Sequence, residues 1–230
     1  MTVSRDQEQW QVLGVDEPDR LSERRPPLLV RLALVVRLSD PLTEAGRPQG
    51  AVWIRLDPGG RAPVYNLSGE ACFLDLPAGA YTLQLSGTYY RRLVQPVTVP
   101  LLDPQQPVQT VVLQPLPWYP FPAGSTVLRG LVREVPDVPV AEAQVRLRTT
   151  GSEAWTTERG EFVLCWPPLA AEQVLTERTN GTVRRLLRDE TGGTQHQIDI
   201  THPTYQRRSL TVPAIVEGTM TNLGVITVSR

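Results

Sequence analysis

Histidine is scarce in this chain: His196 and His202 are the whole supply. Imidazole is the usual general base and metal ligand near neutral pH, so hydrolytic or metal chemistry would have to be built on these two. A zinc peptidase centre needs a His-x-x-Glu pair with a distant His. His202 is followed by Pro203-Thr204-Tyr205, so that pattern is absent. No Gly-x-Ser-x-Gly elbow presents a serine nucleophile. Asp57-Pro58-Gly59-Gly60 reads as a turn and not as a phosphate-binding helix N-terminus. Cys72 and Cys165 fall one in each half of the chain, within alternating strand patterns. They are expected to be buried thiols, too few for a disulfide scaffold. The expectation is a protein that is not an enzyme, with no catalytic residue, no metal ligand and no cofactor.

Two other sets of residues suit recognition. Tyr89-Tyr90-Arg91-Arg92 and Tyr205-Gln206-Arg207-Arg208 stand at matching places in the two halves, and Tyr and Arg are enriched where partners bind. The plainer reading of each is a core Tyr followed by solvated Arg on a strand. Trp53, Trp118, Tyr119, Trp155 and Trp166 form the second set; planar aromatics can stack on sugars, or can simply fill cores and contacts between domains. Trp53 and Trp166 fall within strands, which favours packing. The candidate interaction residues are Trp10, Tyr89, Arg91, Arg92, Trp118, Tyr119, Trp155, Arg207 and Arg208.

The elements that would carry these residues are strands. Val52, Ile54 and Leu56 alternate with Trp53 and Arg55, a half-buried strand. Further strands are expected near 71–76, 80–86, 91–99 and 107–114, with Pro77-Ala78-Gly79 as a tight loop. Residues 115–124, Pro-Leu-Pro-Trp-Tyr-Pro-Phe-Pro-Ala-Gly, make a stiff linker. Its aromatics are expected to pack between two domains, residues 27–114 and 125–230, after an N-terminal arm over 1–26. In the second half, strands are expected at 126–133, within 140–149, and at 161–166, 196–201, 205–212 and 223–228. Residues 169–195 form an insertion. There Asn180-Gly181 signals a type I′ hairpin, with a helix over 170–178 as the competing reading.

The halves repeat one another. Residues 73–85 read Phe-Leu-Asp-Leu-Pro-Ala-Gly-Ala-Tyr-Thr-Leu-Gln-Leu and lead to Gly87-Thr88-Tyr89-Tyr90; Gly160-Glu161-Phe162-Val163-Leu164 and Tyr205 answer them in the second half. This pattern resembles the carboxypeptidase regulatory-like domains, which are transthyretin-like, seven-stranded Greek-key sandwiches. In the second copy Trp166-Pro167-Pro168-Leu169 and the insertion replace the Leu-Pro-x-Gly-x-Tyr segment. The resemblance implies an all-β fold of two tandem sandwiches. It implies little about activity, because such domains are usually non-catalytic appendages. Two related families do have active sites. Intradiol dioxygenases hold iron with two Tyr and two His but show a close His-x-His pair that is missing here. Hydroxyisourate hydrolases end in Tyr-Arg-Gly-Ser, whereas this chain ends Val225-Ile226-Thr227-Val228-Ser229-Arg230.

Bulk properties agree with an interaction protein. The 230 residues are 40% hydrophobic with a net charge of −1, which gives no general attraction to nucleic acid or an anionic membrane. All 23 basic residues are Arg, which reads as compositional bias more readily than as a choice for bidentate contacts. Twenty-two Pro and 17 Gly suit a turn-rich β protein. No secretory signal or membrane-length apolar run is seen, so synthesis in the cytoplasm is expected, with carriage out in a larger particle compatible with it. The functional expectation is a structural or adaptor protein with protein partners in a large assembly. Contractile injection systems and phage tails carry regulatory-like β domains in such roles. A carbohydrate-binding module is the alternative.

Overall fold

The computed structural model describes residues 30–43, 45–101, 105–179 and 181–230. The arm expected over 1–26, and Trp10 with it, lies outside them. Arg31–Arg230 is one compact unit whose strands build two sandwiches, and the chain is all-β. In the first, β1 (Leu32–Ser39), β3 (Val64–Tyr65), β4 (Ala71–Leu74) and β7 (Val108–Val112) form a sheet in the order β3-β4-β1-β7. The facing sheet is β2 (Val52–Asp57), β5 (Gly79–Gly87) and β6 (Leu93–Val99), in the order β2-β5-β6. Period-two patterning decides what each strand buries. Ile54 and Leu56 of β2 point inward, to meet Leu83 and Leu85 of β5 and Leu34, Val36 and Phe73 of the opposite sheet in one core. Trp53 and Arg55, one residue out of phase, face solvent.

The second sandwich repeats this wiring. β8 (Thr126–Glu134) pairs antiparallel with β12 (Glu161–Trp166) and parallel with β17 (Met220–Val228), as β1 does with β4 and β7. β10 (Gln144–Leu147), β15 (His196–His202) and β16 (Tyr205–Val212) neighbour one another in the same order as β2, β5 and β6. The short edge strands differ: β3 extends β4 in the first sandwich, while β11 (Glu153–Trp155) extends β10 in the second and β9 (Val138–Pro139) folds back on β8. None of these three short strands has enough alternation to show in the sequence.

Where the first copy passes from β4 to β5 through residues 75–78, the second inserts a hairpin, β13 (Val174–Thr179) and β14 (Thr182–Leu187). The hairpin reading of the insertion holds. Gly181 takes the positive φ of 77° that the tight turn requires. Of the competing helix there is only a 3-10 turn at Ala171–Gln173. The hairpin base joins the frame, since Leu187 is buried in the second core and its N–H donates to the Ile215 carbonyl at 2.8 Å.

Each copy also ties a tyrosine to an acid at the end of its first strand. Tyr90, after β5, donates its hydroxyl to Asp40 at 2.6 Å. Tyr205, at the start of β16, donates to Glu134 at 2.9 Å. Asp40 is fully buried, and its Oδ2 also accepts the Tyr119 hydroxyl at 2.6 Å. Burial, with Asp40's negative charge beside them, raises both phenols above their ordinary value. Tyr119 thus fastens the linker to the first sandwich. The linker aromatics, expected between two domains, divide instead: Tyr119 lies in the first core, Phe121 packs against it, and Trp118 is exposed.

Candidate interaction groove

Arg91 and Arg92 follow the buried Tyr90 in the turn from β5 to β6, and the linker runs alongside that turn as a partner strand. The Arg91 N–H donates to the Gln114 carbonyl at 2.9 Å, the Leu116 N–H donates to the Tyr89 carbonyl at 2.8 Å, and Tyr90 and Pro115 form a bridge between them. The Trp118 indole N–H donates to the Thr88 carbonyl at 2.9 Å. Side chains on a linker bound at so many points are held in place before any partner arrives, which lowers the ordering cost of binding.

The opposite wall comes from the second sandwich. The Arg91 guanidinium lies over the Trp155 ring, 4.6 Å from its centroid, and pairs with the Glu142 carboxylate. Glu142 adopts a left-handed φ of 55°, uncommon for a residue with a Cβ. Thr156 fixes this bend: its hydroxyl donates to the Val140 carbonyl at 2.7 Å and accepts from the Ala143 N–H at 2.8 Å. Between the two walls is a groove of about 910 Å³, lined by Arg91, Arg92, Trp118, Glu142, Trp155 and Arg159 together with Leu93, Val94 and Leu116.

Four residues picked out from the sequence therefore meet at one place: Arg91, Arg92, Trp118 and Trp155. The others do not join them. Tyr119 is only 3% exposed, because its ring fills the first core and its hydroxyl is held by Asp40, so it offers no contact surface. Tyr89 is half-buried with its ring edge-on to Tyr119 at 6.3 Å. Arg207 reaches Asp199 at 2.7 Å on the outer face of the second sandwich, and Arg208 is exposed on the same strand. Arg148 grips the same carboxylate with two hydrogen bonds of 2.7 and 2.8 Å, and holds Asp199 well below the ordinary aspartate range; Ser209 and Arg207 add to this. Sequence reasoning missed Arg159 and Glu142, which lie in loops without a motif. It also read Trp53 as packing, yet Trp53 is 59% exposed; its place opposite Ile54 and Leu56 in the alternation was the available signal.

Neither histidine lines the groove. His196 is fully buried, with Nε2 3.1 Å from the Leu187 carbonyl and Nδ1 3.0 Å from the Thr149 hydroxyl. A carbonyl accepts only, so Nε2 carries the proton and Nδ1 accepts from Thr149. Burial lowers the His196 pKa, favouring this neutral form. His202 Nδ1 accepts from the Thr204 N–H at 3.1 Å, and its ring packs on Tyr205 at 4.9 Å. Among the described residues, no three His, Cys, Asp or Glu side chains converge as a metal site. The thiols expected to be buried are partly so; desolvation, with the charge of Asp40 adding to it, pushes Cys165 up to about 12.

No protein family matches the sequence, and no curated protein does. Among solved structures, the chain is similar to the Bacillus anthracis TIE protein at 13% identity and a TM-score of 0.29, over 86% of this chain and 33% of that one. It is also similar to a streptococcal ancillary pilin at 13% identity and a TM-score of 0.25, over 84% of this chain and 62% of that one. The chain thus spans about a third of the first and about three fifths of the second.

Proposed function

We propose that this chain is a non-catalytic structural or adaptor protein that seats a protein partner in the groove between its sandwiches. One observation carries the reading: Trp118, Trp155, Arg91 and Arg92 converge on a single groove whose linker wall is bound to the first sandwich. Trp and Arg side chains held rigidly at a concave surface are what protein interfaces use as anchors. The assembly in question is a phage-tail-like particle, such as a contractile injection system; support for this is the resemblance of the tandem repeat to regulatory-like β domains. The carbohydrate reading is the weaker one, because the Arg91 guanidinium occupies one face of Trp155, which a stacking platform would leave open.

The test is co-purification from the native host with the full chain and with Trp118→Ala and Arg159→Glu, both substitutions at residues lining the groove, followed by mass spectrometry. Tube, sheath or baseplate proteins recovered with the wild type and lost with both variants is the expected result. Equal recovery with the variants would remove the groove from the reading, and recovery of the chain alone would remove the assembly.

A further inference from the structure

The groove continues onto a neighbouring face. Arg92 lines it and also lines a smaller depression of about 380 Å³, whose other walls are Trp53, Arg55, Gln84, Leu85 and Ser86. This depression is the outer face of the β2-β5-β6 sheet. Trp53 stands opposite Ser86, and Arg55 opposite Gln84, which in turn stands opposite Val94 of β6. The face is organised: the Gln84 amide donates to Asp57, and Arg92 Nη2 donates to Gln84 Oε1 at 3.3 Å. Val94, 54% exposed, belongs both to this face and to the groove. Across the sheet the strip spans two strand spacings, about 10 Å, before it enters the groove.

We infer that this face and the groove form one docking surface, and that its partner is an acidic protein segment bearing aromatic or other apolar side chains. The inference rests on the reading of the groove as a protein-binding site and names the partner's chemistry. Charge complementarity argues for acid: Arg55, Arg92 and Arg159 make no ion pair among the described residues, although the chain as a whole has a net charge of −1. The tryptophans argue for apolar side chains, since Trp53 and Trp118 are 59% and 53% exposed on either side of Arg92. A polypeptide fits better than a uniform polyanion. Glu142 and Glu158 line the groove and Asp57 stands by the sheet face, and these would repel a continuous line of negative charge, whereas a peptide can alternate acids with side chains that pack on Trp.

The experiment uses the full chain and three fluorescein-labelled probes: a random Glu/Tyr copolymer, polyglutamate and heparin, with binding read by anisotropy over a salt series. The copolymer is expected to bind at least ten-fold more tightly than polyglutamate. Trp53→Ala and Arg55→Glu, which lie outside the groove, are each expected to weaken it at least five-fold. Arg184→Glu on the β14 hairpin strand is expected to change it less than two-fold. Heparin binding as tight as copolymer binding, and insensitive to Trp53→Ala, would overturn the inference in favour of a general polyanion field. If Trp118→Ala weakens the copolymer while Trp53→Ala and Arg55→Glu do not, the extension fails and the groove stands. If no probe binds, or no variant at either place matters, both fail.

Discussion

Replacing Tyr119 with Phe tests whether the linker is held by chemistry or only by shape. The substitution keeps the ring that packs 5.7 Å from Tyr90 and 5.0 Å from Phe121, and removes one hydroxyl. Asp40 loses one of the two phenol donors on Oδ2, keeping Tyr90 at 2.6 Å there and the Leu42 N–H at 2.9 Å on Oδ1. A hydrogen bond to a charged acceptor is worth about 1.5–3 kcal/mol, and the full penalty of an orphaned carboxylate does not apply while other donors remain. The expected loss is therefore about 2 kcal/mol. With a urea slope of about 2 kcal/mol per molar, the midpoint should fall by about 1 M. Far-UV circular dichroism follows the transition, with Tyr89→Phe as a control because its hydroxyl makes no hydrogen bond among the described residues. Tyr90→Phe should cost at least as much as Tyr119→Phe, since its hydroxyl also accepts from the Gln49 N–H at 2.6 Å. A Tyr119→Phe midpoint within about 0.25 M of wild type, the equivalent of about 0.5 kcal/mol at that slope, would show that Asp40 does not depend on these donors.

Three further outcomes are expected. Gly160→Ala should destabilise by more than about 1 kcal/mol in the same assay, because the residue has a φ of 76° and a Cβ would strike the Val132 carbonyl oxygen. Asp199, depressed chiefly by Arg148, contributes stability that is complete above the ordinary aspartate range near pH 4 and is lost as pH falls below it; Asp199→Asn should therefore shrink the gap between urea midpoints at pH 6 and pH 3. Cys165, with its thiol pushed up to about 12, should stay unmodified by iodoacetamide at pH 8 in the native protein and react fully after denaturation, as read by intact mass.

The sequence carries the frame because a strand's inward side is written into its alternation: Ile54 and Leu56, or Val145 and Leu147, announce their faces locally. The insertion was legible for a similar reason, since Asn180-Gly181 between apolar pairs favours one turn type. The linker was misread in part because four prolines look like exposed chain, and the partner that buries Tyr119 is Asp40, 79 positions earlier. A buried acid after a strand asks for donors, but nothing local says which. The groove was half legible. Arg91, Arg92, Trp118 and Trp155 were chosen by residue type, while their convergence depends on how the linker folds back on the β5–β6 turn. Glu142 and Arg159 enter only through that convergence.

The paired sandwiches supply an internal comparison for the hairpin. The first copy closes the passage from β4 to β5 with the short loop 75–78 and still forms a complete sandwich around Phe73 and Leu83. The second makes the same passage through a pair of strands that joins the frame at its base, through Val174, Arg185, Leu186 and Leu187. The outer part of that hairpin is therefore a replaceable attachment point, a position where residues 176–184 can be shortened, exchanged or fused to a reporter while the wiring of β12 to β15 is kept. Together with the differing edge strands, it also makes the two otherwise matching sandwiches distinguishable, so that a label placed there reports on the second copy alone.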